Sequence, residues 1–270
     1  MKIGVFAKTF AGREPLTVLK ASAAAGYQGV AYNMACSGLE AMPERISDAV
    51  ITEVVAACRI TGQTIQSLSG TYNMIHPDVA VRQRGHARLE VLAAAARGMR
   101  TGLITLCTGT RDAMDQWKGH PDNATSEGWA DLMQSFEIAV QVADKYDIYL
   151  GVEPELANVV NGAAAAARLL DELRSDRVKV VLDPANLFEV SVDPGRVIAE
   201  AVDLLGPDIV MVHAKDRNRE GGFTAAGKGV VDFEHFIAAL RGVGFDGPVV
   251  THGLTADEAP GVAAFLTGLL

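Results

Sequence analysis

The sequence lacks a CxxC pair, a GxGxxG stretch and any apolar run long enough to cross a bilayer. Its three cysteines, Cys36, Cys58 and Cys107, stand far apart. That excludes a structural zinc ribbon, and an odd count argues against a disulfide framework. Charged or turn residues interrupt every apolar run, so no membrane span and no membrane partner are expected. The N-terminal run Met1–Ala7 shows no cleavable signal pattern, so a cytoplasmic protein is expected. A surplus of positive charge is also missing: Lys and Arg number 24 against 33 Asp and Glu, a net charge of −9. Neutralising duplex phosphates needs the opposite balance. With aromatics at only 6%, broad stacking platforms for single strands are not expected. No nucleic-acid partner is expected, although a few local cations or a helix N-terminus can still hold a small anion.

What the sequence has is a recurring pattern. An apolar or β-branched run of about five residues is followed by an Ala/Leu/Arg/Glu-rich amphipathic segment, and the pair repeats along the chain. The strand runs are Lys2–Ala7, Gln28–Asn33, Thr64–Leu68, Leu103–Cys107, Ile148–Glu153, Val178–Asp183, Ile209–His213 and Val249–His252. The helical segments between and after them run near 15–25, 46–61, 79–97, 126–146, 162–173, 194–205, 233–241 and 257–269. Pro15 at a start and Gly26 and Gly62 past ends are helix punctuation. Strands that are almost continuously Val, Ile and Leu belong to a parallel sheet covered on both faces by helices. Eight such units predict an α/β fold, a (β/α)8 TIM barrel in a single domain over residues 1–270. The rival open, doubly wound sheet finds no support in the first strand-helix turn, Lys8-Thr9-Phe10-Ala11-Gly12, which has no dinucleotide fingerprint.

In such a barrel, reactive residues gather at the C-terminal strand ends. Four consecutive predicted strands end in an ionisable or metal-binding group: Glu153, Asp183, His213 and His252, at intervals of 30, 30 and 39 residues. Each residue alone has a plain structural reading. A strand-end Glu is usually solvated, Asp183 can cap the following turn, and a single His is usually a hydrogen-bonded structural residue. Four on successive strands reverse that reading, and two carboxylates with two imidazoles form a ligand set for a divalent first-row metal. Glu155 lies two residues further out, and Cys107 ends the fourth strand, where a buried thiol is commonly a small apolar filler.

The segments VEPE, LDPAN, VHAKD and GKGVVDF together resemble the sugar phosphate isomerase/epimerase family, the xylose-isomerase-like TIM barrels, over essentially the whole chain. The resemblance implies one divalent metal held by a Glu, an Asp, a His and a second Glu. Glu153, Asp183 and His213 fall on the first three. It also implies a substrate-contacting Arg six residues past the metal His, where Arg219 stands. Two positions depart from the pattern: His252 stands where the family usually has its second Glu, and Asn186 stands where it often has a His. Losing one Glu removes a base from the two-Glu epimerisation of such enzymes. A neutral imidazole also favours zinc, manganese or cobalt over magnesium.

The implied chemistry is removal of a C–H proton beside a carbonyl, with a metal-stabilised enediolate. In that scheme Glu153 is ligand or base, Asp183 and His213 are ligands, and His252 is fourth ligand or second acid/base. Lys215 polarises an oxygen or holds an anionic group, and Arg219 binds hydroxyl or phosphate oxygens; the plain alternative is a solvated rim in which Lys215 pairs with Asp216. Asn73 and His76, in the loop after the third strand, are candidate substrate contacts. So is Trp117, in the long polar loop after the fourth, as a wall or lid over a sugar. Phe6 and Tyr32 are expected to line the pocket floor. The last helix packs on the barrel or helps form a homodimer. The expected function is a metal-dependent isomerase or epimerase of a small sugar or related polyhydroxy carbonyl compound. A metal-dependent dehydratase or lyase, and a non-catalytic barrel that has lost its metal, are the alternatives. The related apurinic endonucleases fit neither the charge nor the six His.

Overall fold

Strands that bury both faces can sit only in a sheet covered on both sides. In the computed structural model, which describes residues 1–270, Leu103–Cys107 buries all five of its residues and Gly29–Tyr32 all four. The elements in chain order are β1 (Lys2–Phe6), α1 (Pro15–Ala24), β2 (Gly29–Tyr32), α2 (Asp48–Thr61), β3 (Thr64–Ser69), α3 (Val79–Ala96), β4 (Leu103–Cys107) and α4 (Ser126–Tyr146). They continue with β5 (Tyr149–Glu153), α5 (Ala163–Leu173), β6 (Val178–Leu182), α6 (Pro194–Leu205), β7 (Ile209–Arg217), β8 (Phe223–Ala225), α7 (Phe233–Gly242), β9 (Pro248–Thr251) and α8 (Ala259–Leu269). Side-chain oxygens of Ser47, Asp78, Thr125, Asp193 and Asp232 accept from backbone N–H groups at the starts of α2, α3, α4, α6 and α7, which satisfies donors the helix leaves unpaired. Gly62 ends α2 at φ +72°, in the left-handed region that glycine adopts freely.

Eight strands are parallel and close on themselves. β1 pairs with β2 and β9, the order then runs through β3, β4, β5 and β6, and β6–β7 and β7–β9 pairing completes the ring. The barrel is therefore the (β/α)8 architecture expected from the strand-helix alternation. Ala31, Leu103, Val181, Met211 and Val250 fill its interior, while a larger apolar shell lies between strands and helices.

The ninth strand was not anticipated. β7 does not stop at His213 but runs on to Arg217, and β8 folds back antiparallel on Lys215–Arg217. Asp216 anchors this excursion. It is fully buried, and its carboxylate accepts from the backbone N–H groups of Arg217, Gly227, Gly229 and Val231 at 2.8, 3.2, 2.8 and 3.0 Å. The GKGVVDF segment is thus a loop wrapped around one carboxylate. A Cβ at Gly229 would lie 2.0 Å from the Arg217 carbonyl oxygen, so only glycine allows the approach. The alternative of a solvated rim with Lys215 paired to Asp216 is not formed; Lys215 pairs with Asp183 instead.

Asp216→Ala strands two buried backbone donors, those of Arg217 and Val231, and two half-buried ones, each buried group costing roughly 1–3 kcal/mol when unsatisfied. The variant is expected to lose about 3 kcal/mol or more of stability, read from the urea midpoint. An unchanged midpoint would show that these N–H groups find water.

Candidate metal centre

Side chains alternate along a strand, so residues two apart share a face. Val181, Met211 and Val250 point into the barrel. Asp183, His213 and His252, each two residues further on, therefore face the same axis at its C-terminal mouth. Glu153 ends β5, beside β6. One ligand atom from each of Glu153, Asp183, His213 and His252 can be chosen so that all lie within 4.8 Å of one another. His213 Nδ1 is 3.0 Å from Glu153 Oε1 and 4.0 Å from Asp183 Oδ2. His252 Nε2 is 3.1 Å from Asp183 Oδ2. The two imidazoles meet edge to face, with centroids 4.6 Å apart.

A second layer of polar groups fixes these donors. Asn186 donates from Nδ2 to Glu153 Oε1 at 2.9 Å and to Glu155 Oε1 at 2.8 Å, and its Oδ1 accepts from Lys215 Nζ at 2.8 Å. Lys215 Nζ also lies 3.2 Å from Asp183 Oδ2 and 3.9 Å from the centre of the Phe223 ring. Asp183 Oδ1 accepts from the Ala185 N–H at 2.9 Å. Three carboxylates, Glu153, Asp183 and Glu155, face one ammonium, Lys215. If all are ionised, two negative charges stay unbalanced in a largely buried site, where unpaired charge is costly. One divalent cation would supply that balance. The donor set of two oxygens and two nitrogens suits a first-row metal, and the hydrogen bonds behind it are of the kind that orient ligands. The residues present therefore fit a metal.

The protonation of the cluster follows its contacts. Burial raises the Asp183 carboxyl, but Lys215 and His252 outweigh it and hold it well below the usual range. Burial likewise raises Glu153, and His213 reverses the shift. Burial, then the Glu153 charge, push Glu155 up to about 7. Burial, then Glu153 and Glu155, push the Cys107 thiol upward, and it lies 3.9 Å from Glu153 Oε2, outside the group of four donors.

The pocket over the cluster has a volume of about 430 Å³. Its lining includes Glu153, Glu155, His213, His252, Phe6 and Trp117. Trp117 is 51% exposed at the rim. Three expected contacts lie elsewhere. Arg219 sits in the exposed turn between β7 and β8 and borders a separate recess with Glu189 and Val190, because β7 extends four residues past His213 and carries the following residues away from the mouth. Asn73 donates to the Thr110 carbonyl at 2.8 Å and accepts from the Thr110 N–H at 3.1 Å. His76 accepts from the Asp78 N–H at Nδ1, so Nε2 carries the proton and donates to the Ala113 carbonyl at 3.1 Å. Both residues clamp the loop after β3 to the loop after β4 and border a neighbouring cavity. Lys215 is buried behind Asp183 and does not line the pocket. Tyr32 is buried too, bonded to Ser37, and Ala31 takes its expected place in the lining.

The sequence reading missed Lys8, Asn33, Gln116 and the coupling role of Asn186. Asn33 follows the interior residue Ala31 by two, a signal that alternation carries. Lys8 and Gln116 lie outside strands, where no periodicity points to them.

No curated protein matches the sequence. Solved structures match over the full barrel at low identity. 3-Keto-D-glucoside 4-epimerase YcjR from E. coli is 19% identical, with 99% of each chain covered and a TM-score of 0.79. D-Psicose 3-epimerase from Clostridium cellulolyticum H10 is 17% identical over 100% of this chain and 99% of that one, with a TM-score of 0.76. The probable 3-DHS dehydratase AsbF from Bacillus anthracis is 15% identical over 99% of each, with a TM-score of 0.78. No helix is long and apolar enough to cross a membrane. The family model for xylose isomerase-like TIM barrels matches residues 19–266, and with the closed barrel and its strand-end donors in view, the chain belongs to that family.

Proposed function

We propose that the chain is a divalent-metal-dependent isomerase or epimerase of a small sugar or related polyhydroxy carbonyl compound. The observation that carries this reading is the set of buried Glu153, Asp183 and His213 with the half-buried His252 under a polar pocket, with more carboxylate charge, when all are ionised, than Lys215 offsets. The reading is supported by similarity of fold to epimerases of a keto-glucoside and of psicose.

Glu153, Asp183, His213 and His252 would hold the ion. A divalent cation there supplies a Lewis acid for negative charge developing on substrate oxygens. The imidazole nitrogens must be unprotonated to coordinate it, which favours zinc, manganese or cobalt over magnesium. Glu155 lines the pocket and stands outside the ligand set, so its carboxylate is free to take the proton from the carbon beside the carbonyl and return it. Asn186 holds Glu155 and Glu153 at a set separation through one amide nitrogen. Lys215 fixes Asp183 rather than touching substrate. Trp117 and Phe6 wall the pocket and limit water at the reacting carbon. Isomerisation needs one carboxylate to move a proton between neighbouring carbons while the hydroxyl proton passes between their oxygens. Epimerisation needs a second acid on the opposite face, a role open to His252 when it is not coordinated.

A dehydratase is the second reading, favoured by His252. When it is not a metal ligand, His252 places an imidazole at the mouth where such enzymes carry a carboxylate, and a probable dehydratase shares the fold. Loss of one water from a tested sugar, seen by mass, would select it.

Purified protein is expected to carry a divalent metal. Adding Mn, Co or Zn to the metal-stripped chain at about 100 times Kd should add about 2.7 kcal/mol of stability, a Tm gain of roughly 5 °C or more. No metal and no gain would favour a barrel that has lost its ion. In deuterated water with a panel of ketoses, the wild type is expected to exchange a carbon-bound proton. Glu153→Gln and Asp183→Asn should abolish both exchange and the metal-dependent Tm gain. Glu155→Gln should lower exchange by about 10²-fold or more while keeping the gain. Full exchange in Glu155→Gln would return the proton transfer to another residue.

A further inference from the structure

A second cavity opens beside the metal centre, and the proposed reaction leaves it without a role. Its volume is about 470 Å³, bounded by the segment 40–42 after β2, the loops after β3 and β4, and the first turns of α3. Ala41, Thr71 and Gln116 line both this recess and the inner pocket, so one row of side chains parts the two. At about 430 Å³ the inner pocket lies toward the lower end of the sizes typical of ligand sites. Inner pocket and recess together reach the upper part of the range of about 300–1,000 Å³ typical of sites for larger ligands.

The chemistry of the recess is that of a neutral, polyhydroxylated ligand. Arg88 pairs with Glu40 at 2.9 Å and with Glu44 at 3.2 Å, and Lys118 pairs with Asp112 at 3.1 Å. These pairs leave Arg84 and Asp115 outside any ion pair, one of each sign, so the recess has no net call for a phosphate or a carboxylate. A guanidinium only donates and a carboxylate only accepts, whereas a hydroxyl does both. Met42, Val81 and Met114 present apolar surface to the C–H faces of a ring. The walls are held before any ligand arrives: Asn73 and His76 tie the two loops together, and Arg88 ties α3 to the segment after β2. Such preorganisation lowers the cost of binding.

We propose that this recess is an outer subsite for a second sugar ring, and that the substrate is a glycosylated keto sugar whose reacting unit occupies the metal centre. The inference rests on the isomerase or epimerase reading of that centre. The attached ring lies against Arg84, Asp115 and Met114.

The test compares D-fructose with lactulose, turanose and isomaltulose, three ketoses that carry a second ring at different oxygens. The metal-loaded chain is assayed for proton exchange in deuterated water, and binding is measured separately by calorimetry. At least one disaccharide is expected to bind about tenfold more tightly than D-fructose and to exchange with a kcat/KM at least tenfold higher. Arg84→Ala and Ala113→Trp, neither of which lines the inner pocket, should each reduce that preference about tenfold, in Kd as well as in kcat/KM. Circular dichroism and the metal-dependent Tm gain would confirm that both variants fold and load. Exchange of D-fructose with no preference for any disaccharide, or a preference untouched by both variants, would overturn the outer subsite and leave the isomerase reading standing. Absence of exchange with all four sugars would overturn both.

Discussion

The centre of this molecule is a cluster of three largely buried carboxylates that, when all are ionised, carry more charge than its one lysine offsets. Glu153, Asp183 and Glu155 converge at the ends of neighbouring strands, and the one ammonium among them, Lys215, offsets a single charge. A fold does not hold such a cluster without a partner, because carboxylates out of water repel and lose hydration. The imidazoles of His213 and His252 meet the same oxygens from the other side. A divalent ion held there would take the place of those imidazole–carboxylate contacts, with the hydrogen bonds of Asn186 and Lys215 behind the donors. Asn186 is the hinge of this arrangement. With one amide it restrains two carboxylates and receives the lysine, so the acid/base candidate and the ligand are fixed relative to each other.

Around the centre, buried polar side chains shape the mouth by satisfying the backbone. Asp216 draws four N–H groups onto one carboxylate and closes the loop after β8 against the barrel. Asn73 and His76 do the same between the loops after β3 and β4. At Gly109 the backbone has φ +79°, and a Cβ would lie 2.2 Å from Asn73 Oδ1. The clamp therefore needs glycine on one side and asparagine on the other. Loops held in this way give the pocket and the recess beside it fixed walls, although neither belongs to a regular element.

The barrel was legible because parallel strands covered on both faces leave a strong mark. β4 reads Leu-Ile-Thr-Leu-Cys and is buried throughout, and the helix ends match their Pro, Gly and cap residues within a few positions. The four donors were legible for a related reason: each lies where the parallel barrel pairing of its strand ends, and strands in this architecture deliver those ends to one rim. β8 was not legible. Three residues, Phe223–Ala225, in a Gly- and Arg-rich stretch carry too little periodicity to mark a strand. That omission also misplaced Arg219, since counting six residues past His213 assumes a loop where the chain continues as a strand and turns outward.

Chain order by itself determined the alternation of elements, the closed barrel and the four strand-end groups, because these follow from local periodicity and from the one way that parallel strands and their helices pack. The partners of those groups depend on contacts between residues far apart along the chain, which no local pattern encodes. That Lys215 turns away from the pocket to Asp183, that Asn186 couples two glutamates, that Asn73 and His76 bind backbone rather than face the centre, and that a second cavity adjoins the first were decided only when the loops of eight units met at one end of the barrel.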